Sequence, residues 1–436
     1  MDVLNIAYKL LRDYESSGKY VNLSLSSHIA DGLTDEERSR VTLLLYTTVE
    51  RKLTYDYYIA ALTKRPVDKL SDSVRDALRL GLCQLLDIDN IPDYAAVNES
   101  VKLVKMPHEK RFVNAVLREA ARNKGSLPLP DRKKNCARHL SVYYSYPLWM
   151  VKRFISLFGE EEAELLLSSM NEKKPLTLAV NTTKITRDDF IARLGERGVS
   201  ARATEHSKIG VRLDASLPPK RLFGYDEGCF FVQDEASQIA AAVLDPKPND
   251  VVIDTCAAPG GKSFSAAILS SDGATIYSFD IHESKMSLIK DGAARLGLSS
   301  IRASVRDGEH PDESLFGLAD KVVCDAPCSG LGVISKKPDL RYKSEESIKE
   351  LPALQLSILA ASAKYLKVGG ELVYSTCTVL PEENGEVISA FLEGHAEFIP
   401  QDFSVGGKSS CGGALQLLPQ MDGTDGFFIA KLRKVK

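Results

Sequence analysis

Two cysteines of this sequence stand where covalent chemistry is feasible. Cys328 lies in "DAPCSGLG" (325–332), a loop rich in proline and glycine that follows a predicted strand. Cys377 lies in "STCT" (375–378), at the end of the next predicted strand. Because the carboxyl ends of neighbouring parallel strands meet at one edge of a sheet, we expect both thiols to face the same crevice. A thiolate at such a place is a candidate nucleophile.

The alternatives for these cysteines are a metal site and simple burial. Cys324 and Cys328 are four positions apart, but no cluster of His or further Cys completes four zinc ligands, so we expect no metal. Free cysteine also packs as a small apolar side chain, and the loop positions of Cys328 and Cys377 argue against that role for them. We expect inert thiols at four other positions: Cys83, Cys136, Cys229 and Cys411.

An acidic residue follows each of the first four strands predicted in the C-terminal part of the chain. Asp254 ends the first strand, Asp280 the second and Asp325 the fourth, while Asp307 follows the third. Any one of them could cap a helix, but the set favours a ligand at the sheet edge. An acid at the end of the second strand is well placed to bind ribose hydroxyls. Since no glycine-rich pyrophosphate fingerprint is present, we predict a ligand with ribose but no phosphate, S-adenosylmethionine.

The stretch "DTCAAPGGKS" (254–263) ends like a phosphate-binding loop but departs from that motif. Residues 261–263 fit its end, whereas Cys256 occupies the place of its first glycine. Pro259 also removes a backbone N–H from a loop that works by presenting N–H groups. The pattern instead predicts a tight turn of small residues between a strand and a helix, against which a ligand can lie close to the backbone.

The predicted elements divide the chain into three parts. Residues 1–130 show helical spacing of apolar residues and predict an all-helical domain, followed by a linker at 124–134. Residues 140–245 predict a small α+β segment. In 246–436, strands alternate with helices, which predicts a doubly wound, mostly parallel sheet whose edge is closed by the pair ALQLLP and GFFIAKLRK. The five parallel strands are VVIDTC, TIYSFDI, IRASVRD, KVVCDAP and ELVYSTCT.

Composition and charge narrow the class of protein. The 436 residues are 44% hydrophobic and 26% charged, and no run of eighteen apolar residues suggests a membrane helix. Eight cysteines and an N-terminus unlike a secretory signal favour a reducing, cytoplasmic location. The net charge is −3, yet residues 102–153 contain thirteen Lys or Arg against three Asp or Glu. Such a basic stretch is either a solvated helix face and linker or a footprint for nucleic acid.

Several motifs resemble those of S-adenosylmethionine-dependent RNA cytosine-5 methyltransferases. The similar stretches are DTCAAPGGKS, RDG (306–308), DAPCSGLG and STCT, with FVQDEASQ (231–238) leading into them. Upstream, IPDYAAVNESVKLVK (91–105) and RFVNAVLR (111–118) resemble the NusB-like domain of the bacterial Fmu/Sun-type enzymes, which modify small-subunit ribosomal RNA. The resemblance covers nearly the whole chain, least clearly 140–225. It implies a Rossmann-like class I methyltransferase domain after the NusB-like domain and the α+β segment.

The resemblance also implies a role for each site residue. Cys377 would attack cytosine C6, Cys328 would assist release of the adduct, and Asp325 would bond the N3 edge of the base. Asp280 would hold the ribose and Asp307 the adenine side, and Asp325 also borders the cofactor. The methionine part would be wrapped by one loop: Cys256, Ala257, Ala258, Pro259, Gly260, Gly261 and Lys262.

One stretch departs from the family pattern. "SKKPDLRY" (335–342) has lysines where the family more often has arginines before Pro-Asp. We expect Lys336 and Lys337 to keep the charge, although lysine does not reproduce the arginine fork.

The sequence therefore predicts transfer of a methyl group to C5 of a cytosine in small-subunit (16S) ribosomal RNA. The alternatives are the same reaction on transfer RNA or another RNA, and a non-catalytic RNA-binding protein that keeps the fold. The target base must leave its stack, which favours a loop or an opened helix as substrate. In the leading hypothesis the basic segment contacts RNA phosphates. We expect a monomer, with no membrane association and no metal.

Overall fold

The computed structural model describes residues 2–17, 33–215 and 217–436. By its internal contacts the chain divides into two compact units. The helical unit comprises Met1–Asn171 and Lys337–Lys343, and the sheet unit comprises Glu172–Lys336 and Ser344–Lys436. Among the described residues, no helix combines the length and the apolar character that a membrane crossing needs.

The described part of the helical unit contains nine α-helices, whose ends follow local signals. Thr34 and Glu37 form a capping box at the start of α2, and Pro107 opens α6. Gly159 ends α8 with a φ of 82°. The helices are α1 Val3–Ser17, α2 Asp35–Glu50, α3 Lys52–Thr63, α4 Asp72–Leu86, α5 Asp93–Lys102, α6 Pro107–Arg122, α7 Cys136–Tyr144, α8 Leu148–Phe158 and α9 Glu160–Asn171.

The helical unit extends beyond the predicted domain end at 130. The sequence predicts one α+β segment over 140–245, but α7, α8 and α9 lie in the helical unit. Buried hydrogen bonds fix α7 there, since the Thr54 hydroxyl donates to Val142 O at 2.6 Å. This hydrogen bond joins residues far apart in sequence, so the local sequence pattern does not predict it.

The α+β part begins with a four-stranded antiparallel sheet. Its strands are β1 Thr177–Val180, β2 Ala201–Ala203, β3 Gly210–Leu213 and β4 Phe230–Val232, in the order β2-β3-β1-β4. Helix α10, Arg187–Gly195, packs Phe190 and Leu194 against this sheet in a small apolar core with Leu178 and Phe230. Thr186 caps α10 by accepting from Asp189 N.

An eight-stranded sheet forms the centre of the sheet unit, in the order β10-β14-β9-β8-β5-β6-β7, with β13 also on β14. Strands β5 to β9 are parallel, and β10, β13 and β14 are antiparallel to their neighbours. The strands are β5 Val251–Asp254, β6 Thr275–Asp280, β7 Ile301–Val305, β8 Ala319–Asp325, β9 Leu366–Thr376, β10 Phe398–Pro400, β13 Ala414–Leu417 and β14 Phe427–Lys434. A separate pair joins β11 Ser404–Val405 to β12 Lys408–Ser409.

Helices connect the strands of this sheet. They are α11 Glu235–Leu244, α12 Gly261–Leu269, α13 Met286–Leu296, α14 Glu345–Lys349, α15 Leu351–Ala363, α16 Gly385–Gly394 and α17 Pro419–Asp422. The five predicted parallel strands and the closing pair are confirmed. Two helices, α14 and α15, precede β9, which begins earlier than predicted, at Leu366. Strand β10 has no counterpart among the predictions.

The sheet topology places the predicted site residues. Strand β5 lies between β6, which follows it in sequence, and β8, so the strand order reverses between β5 and β8. Ligands of doubly wound sheets bind outside the carboxyl ends of the strands at such a switch point. Asp254 and Asp325 end the two strands that flank it, and Cys377 follows β9, the next strand beyond β8.

Candidate active site

The two cysteines meet at the carboxyl ends of β8 and β9. In this parallel pair Asp325 is the register partner of Ser375, so the chain segments after both residues leave the sheet side by side. The Sγ atoms of Cys328 and Cys377 are 3.3 Å apart, and both residues are half-buried. The predicted convergence of the two thiols on one crevice is therefore what the structure contains.

The loop that carries Cys328 is held by backbone contacts that only glycine permits. Gly332 N donates to Cys377 O at 2.9 Å, and Gly426 N donates to Gly332 O at 2.9 Å. A Cβ at Gly332 would lie 1.9 Å from Gly426 O, inside any allowed contact. The glycines of DAPCSGLG thus serve a close approach of three chain segments, which fixes the loop beside Cys377.

Asp325 is paired on both oxygens. Lys262 Nζ lies 2.5 Å from its Oδ2, and Ser375 Oγ donates to its Oδ1 at 2.8 Å. Lys262 is 7% exposed and also donates to Ser237 Oγ at 3.2 Å. Neither Ser375 nor Ser237 is among the predicted site residues, although both lie in quoted motifs. Their roles depend on strand register and helix packing, which the motifs alone do not specify.

The loop between β5 and α12 contains the small-residue turn that the sequence predicts. Gly260 has a φ of 111°, and a Cβ there would lie 2.4 Å from Phe264 Cζ. Gly261 begins α12 facing Gln233, whose Nε2 would be 3.1 Å from an added Cβ. Gly260 and Gly261 therefore leave room for Phe264 and Gln233 to pack against the loop, and binding of a ligand by residues 256–262 stays a prediction. Burial raises the pKa of the Cys256 thiol well above its usual value.

Asp280 faces this loop, whereas Asp307 bonds within its own turn. Asp280 is 8% exposed and accepts from Ala258 N at 3.2 Å and His282 N at 3.0 Å. Asp307 accepts from Glu309 N at 3.0 Å and lies 3.0 Å from a ring nitrogen of His310. The hydrogen bond from Glu309 N lowers the pKa of Asp307. Thus Asp280 joins the turn, while the contacts of Asp307 leave its assigned role a prediction.

Asp254 is the most deeply buried of the strand-end acids. It is fully buried and accepts from Ser263 Oγ at 2.7 Å, and Ser263 Oγ in turn accepts from Ser278 Oγ at 2.7 Å. Burial raises the pKa of Asp254 to about 7, while the Ser263 hydrogen bond and the Lys262 charge oppose the shift. This acid holds α12 to the sheet from beneath the loop.

The pKa of the Cys328 thiol differs from that of an ordinary surface thiol. The hydrogen bond to Cys377 and burial raise the pKa of Cys328 well above its usual value, and the charges of Glu383 and Asp325 add to the shift. The Cys328 thiol therefore holds its proton at neutral pH.

The lysines in SKKPDLRY belong to different units. Lys336 bridges two carboxylates of the sheet unit, Asp234 and Asp425, and its Nζ lies 2.7 Å from Asp425 Oδ2. The carboxylates of Asp234 and Asp425 raise the pKa of Lys336 against the lowering effect of its burial. Two single contacts to separate partners suit an ammonium group, which explains how lysine functions here without the arginine fork. Lys337 lies in the segment that belongs to the helical unit.

A doubly wound sheet with a tight glycine turn after its first strand and an acid at the end of its second fits a class I methyltransferase. Comparisons with known proteins agree. The family model "16S rRNA methyltransferase RsmB/F" matches residues 241–433, the NusB family model matches 1–122, and the ferredoxin-like domain model of RsmF/B-like methyltransferases matches 146–219. The chain belongs to the RsmB/F family of 16S rRNA methyltransferases.

Relatives and solved structures extend this likeness over the whole chain. It is 37% identical to the "Probable ribosomal RNA small subunit methyltransferase B" of Bacillus subtilis, covering 99% of this chain and 98% of the relative. It is 33% identical to the Escherichia coli K12 ribosomal RNA small subunit methyltransferase B, with 92% of each chain covered. The crystal structure of PH0851 has a TM-score of 0.83 at 28% identity and covers 99% of this chain and 98% of its own. NSun6 from Pyrococcus horikoshii with SFG has a TM-score of 0.58 at 25% identity, covering 65% of this chain and 97% of its own.

Proposed function

We propose that this protein transfers a methyl group from S-adenosylmethionine to C5 of a cytosine in small-subunit ribosomal RNA, through a transient bond between Cys377 Sγ and cytosine C6. The observation that carries the proposal is the 3.3 Å separation of the two sulfurs at the sheet edge beside Asp325. The names of the relatives support a ribosomal substrate, and the NSun6 structure with SFG, an analogue of S-adenosylmethionine, supports the cofactor.

The residues of the loop after β5 fit the cofactor. Residues 256–262 would hold its methionine part, Asp280 at the end of β6 its ribose and Asp307 its adenine side. The carboxylate of Asp280, which accepts from Ala258 N of this loop, would supply the acceptor for the ribose hydroxyls. When bound, S-adenosylmethionine supplies the electrophilic methyl group that C5 takes up.

The cysteines and Asp325 would perform the remaining steps on the base. Attack of the Cys377 thiolate forms the Sγ–C6 bond and shifts the ring electrons toward C5, which is otherwise a poor nucleophile. Asp325, held between Lys262 and Ser375, bonds the N3 edge and keeps it protonated as charge develops. After methylation the C5 proton passes to water and its bonding electrons restore the C5–C6 double bond. The Sγ–C6 bond breaks at the same time, and the thiolate is restored. Cys328, within contact of Cys377, assists this release.

A covalent trap with RNA containing 5-fluorocytosine tests the proposal. After methylation this base has no C5 proton to lose, so the Sγ–C6 bond persists and the adduct is visible on a denaturing gel. Wild type and Cys328→Ala should form the adduct, and Cys377→Ala should not. Cys411→Ala, at an exposed thiol, is the matched control and should behave as wild type. Full activity in Cys377→Ala would show that the nucleophile is wrongly assigned.

The same experiment separates the alternatives of substrate and class. A non-catalytic RNA-binding protein would bind the RNA but give no adduct with any variant. An adduct with transfer RNA in preference to small-subunit ribosomal RNA would favour the second substrate. Bisulfite mapping of RNA from a deletion strain would then identify the cytosine that loses its methyl group.

A further inference from the structure

A buried carboxylate lies beside the Cys328 loop and has no assigned role. Glu383 follows the Cys377 segment and is fully buried. Within the described part of the chain, no Lys, Arg or His side chain forms an ion pair with it. Its oxygens instead accept from neutral donors, namely Ser329 N at 2.7 Å, Gln355 Nε2 at 2.9 Å and the Ser329 hydroxyl. Burying a carboxylate without a cation is costly, so this arrangement calls for an explanation.

The donors to Glu383 come from both sides of Cys328. Ser329 follows Cys328 directly, and Gln355 Nε2 also donates to Pro327 O at 2.9 Å. The carboxylate and Gln355 thus fix the backbone immediately before and after the thiol.

The same network reaches the Cys377 segment. Ser329 Oγ lies 2.8 Å from Oγ1 of Thr378, the residue after Cys377. Tyr374 OH, from β9, donates to Glu383 O at 2.7 Å. The glutamate therefore lies where the loop of one cysteine is tied to the strand of the other.

We propose that Glu383 is a positioning residue of the methyl transfer: its carboxylate, beside the Cys328 loop, holds that loop so that the two sulfurs stay in contact while Cys377 attacks. The proposal rests on the cysteine roles given under Proposed function. It explains why the carboxylate has neutral donors, since a cationic partner would cancel the charge that acts on the thiol.

The charges around Cys328 agree with this role. The titratable groups that face it are Cys377, Glu383, Asp325 and Tyr374. Cys377, Glu383 and Asp325 each raise the pKa of the Cys328 thiol, and Cys328 in turn raises the pKa of Tyr374. Removing one negative charge from this set should let Cys328 lose its proton at lower pH.

Glu383→Gln tests the proposal, with Glu386→Gln as the matched control on an exposed glutamate of α16. The substitution removes the charge and turns one acceptor into a donor that faces Ser329 N and Gln355 Nε2. We expect Glu383→Gln to form the 5-fluorocytosine adduct, because Cys377 is intact. On ordinary cytosine, turnover should fall by about 100-fold as unreleased adduct accumulates. The alkaline limb of its turnover profile should move to lower pH by about one unit. Glu386→Gln should match wild type in all three measurements.

The result that would overturn the proposal is a folded Glu383→Gln protein whose turnover and pH profile equal those of wild type. If Glu383→Gln does not fold, Gln355→Met takes its place, since it removes the links to Pro327 O and to Glu383 but keeps the carboxylate. It should slow turnover by roughly tenfold and leave the pH limb unmoved, and wild-type turnover would again reject the proposal. Failure of wild type itself to form any adduct would instead reject the proposed function.

Discussion

The helical unit buries an arginine that cannot change its charge, whereas the candidate site of the sheet unit contains a carboxyl and a thiol that can. In the helical unit the largest fully buried side chain is Arg341. Its guanidinium donates to Glu50 O at 2.9 Å, Ser145 O at 3.1 Å and Asn171 Oδ1 at 3.1 Å. An arginine cannot lose its proton in a protein, so these bonds persist at every working pH.

At the candidate site of the sheet unit the groups include a carboxyl and a thiol, which do exchange protons. Asp254 has a pKa of about 7 because of burial, and the pKa of Cys328 is raised well above its usual value. Their partners are mostly hydroxyls, amides and other titratable groups rather than fixed acceptors. Arg341 therefore stabilises architecture with a permanent charge, whereas Asp254 and Cys328 are proton-exchanging groups in the region where chemistry is proposed.

Replacing Arg341 tests the structural half of this comparison and should give the largest effect. Arg341→Met leaves three buried acceptors without a donor, and we expect a loss of about 4 kcal/mol in the free energy of unfolding. Denaturant titration of the full chain, followed through its helical signal, measures the change. Arg122→Met is the control, because Arg122 is 73% exposed and pairs with Glu119 on the same helix, so less than about 0.5 kcal/mol should be lost. Equal midpoints for the two variants would show that Arg341 is not a structural anchor.

Replacing Asp254 tests the part of the comparison that concerns proton exchange. With a pKa of about 7 in the folded state and about 3.9 when unfolded, this carboxyl holds its proton in the native protein between those values. Wild type therefore loses stability as the pH rises from about 4 to about 7, and the loss remains above that range. Asp254→Asn cannot titrate, so its stability relative to wild type should increase across the same window, by on the order of 1 to 3 kcal/mol.

Thermal or denaturant unfolding of wild type and Asp254→Asn at pH 5, 6, 7 and 8 checks this sign. A stability difference that stays constant over these four pH values would mean that Asp254 is ionised throughout. Asp291→Asn, at an exposed acid on α13, should give such a constant difference and serves as the control.

The same two regions show what the sequence alone can predict. The strand-end acids and both cysteines were predictable because each lies at the boundary of a short apolar strand, and parallel strands deliver their ends to one edge. Asp254, Asp280 and Asp325 end their strands as expected, and Cys377 directly follows its own. These positions depend on local periodicity and on a general rule of topology.

Other features depend on contacts between distant parts of the chain. The ion pair of Lys262 with Asp325 requires the loop after β5 to meet the end of β8, and Glu383 finds its donors 54 and 28 positions away. In the sequence Arg341 is one more charge in a basic stretch, yet in the structure it is buried against residues 170 to 291 positions away. No local pattern encodes such partners, because they follow from packing and strand register.

The helical unit also has exposed cations, which, unlike the buried Arg341, are free to contact RNA phosphates. Lys133 and Lys134 are exposed in the linker within the basic segment 102–153. If they contact phosphates, Lys133→Ala with Lys134→Ala should weaken binding of the substrate RNA by roughly fivefold at 0.1 M salt and reduce the salt slope of log affinity by about 0.7 to 0.9 per lysine. Filter binding between 50 and 200 mM salt measures both values. Lys247→Ala is the control, because Lys247 precedes β5 at the edge of the sheet opposite the site. An unchanged slope in the double variant would assign the basic segment to solvation alone, and the helical unit's surface charge would then have no part in recognition.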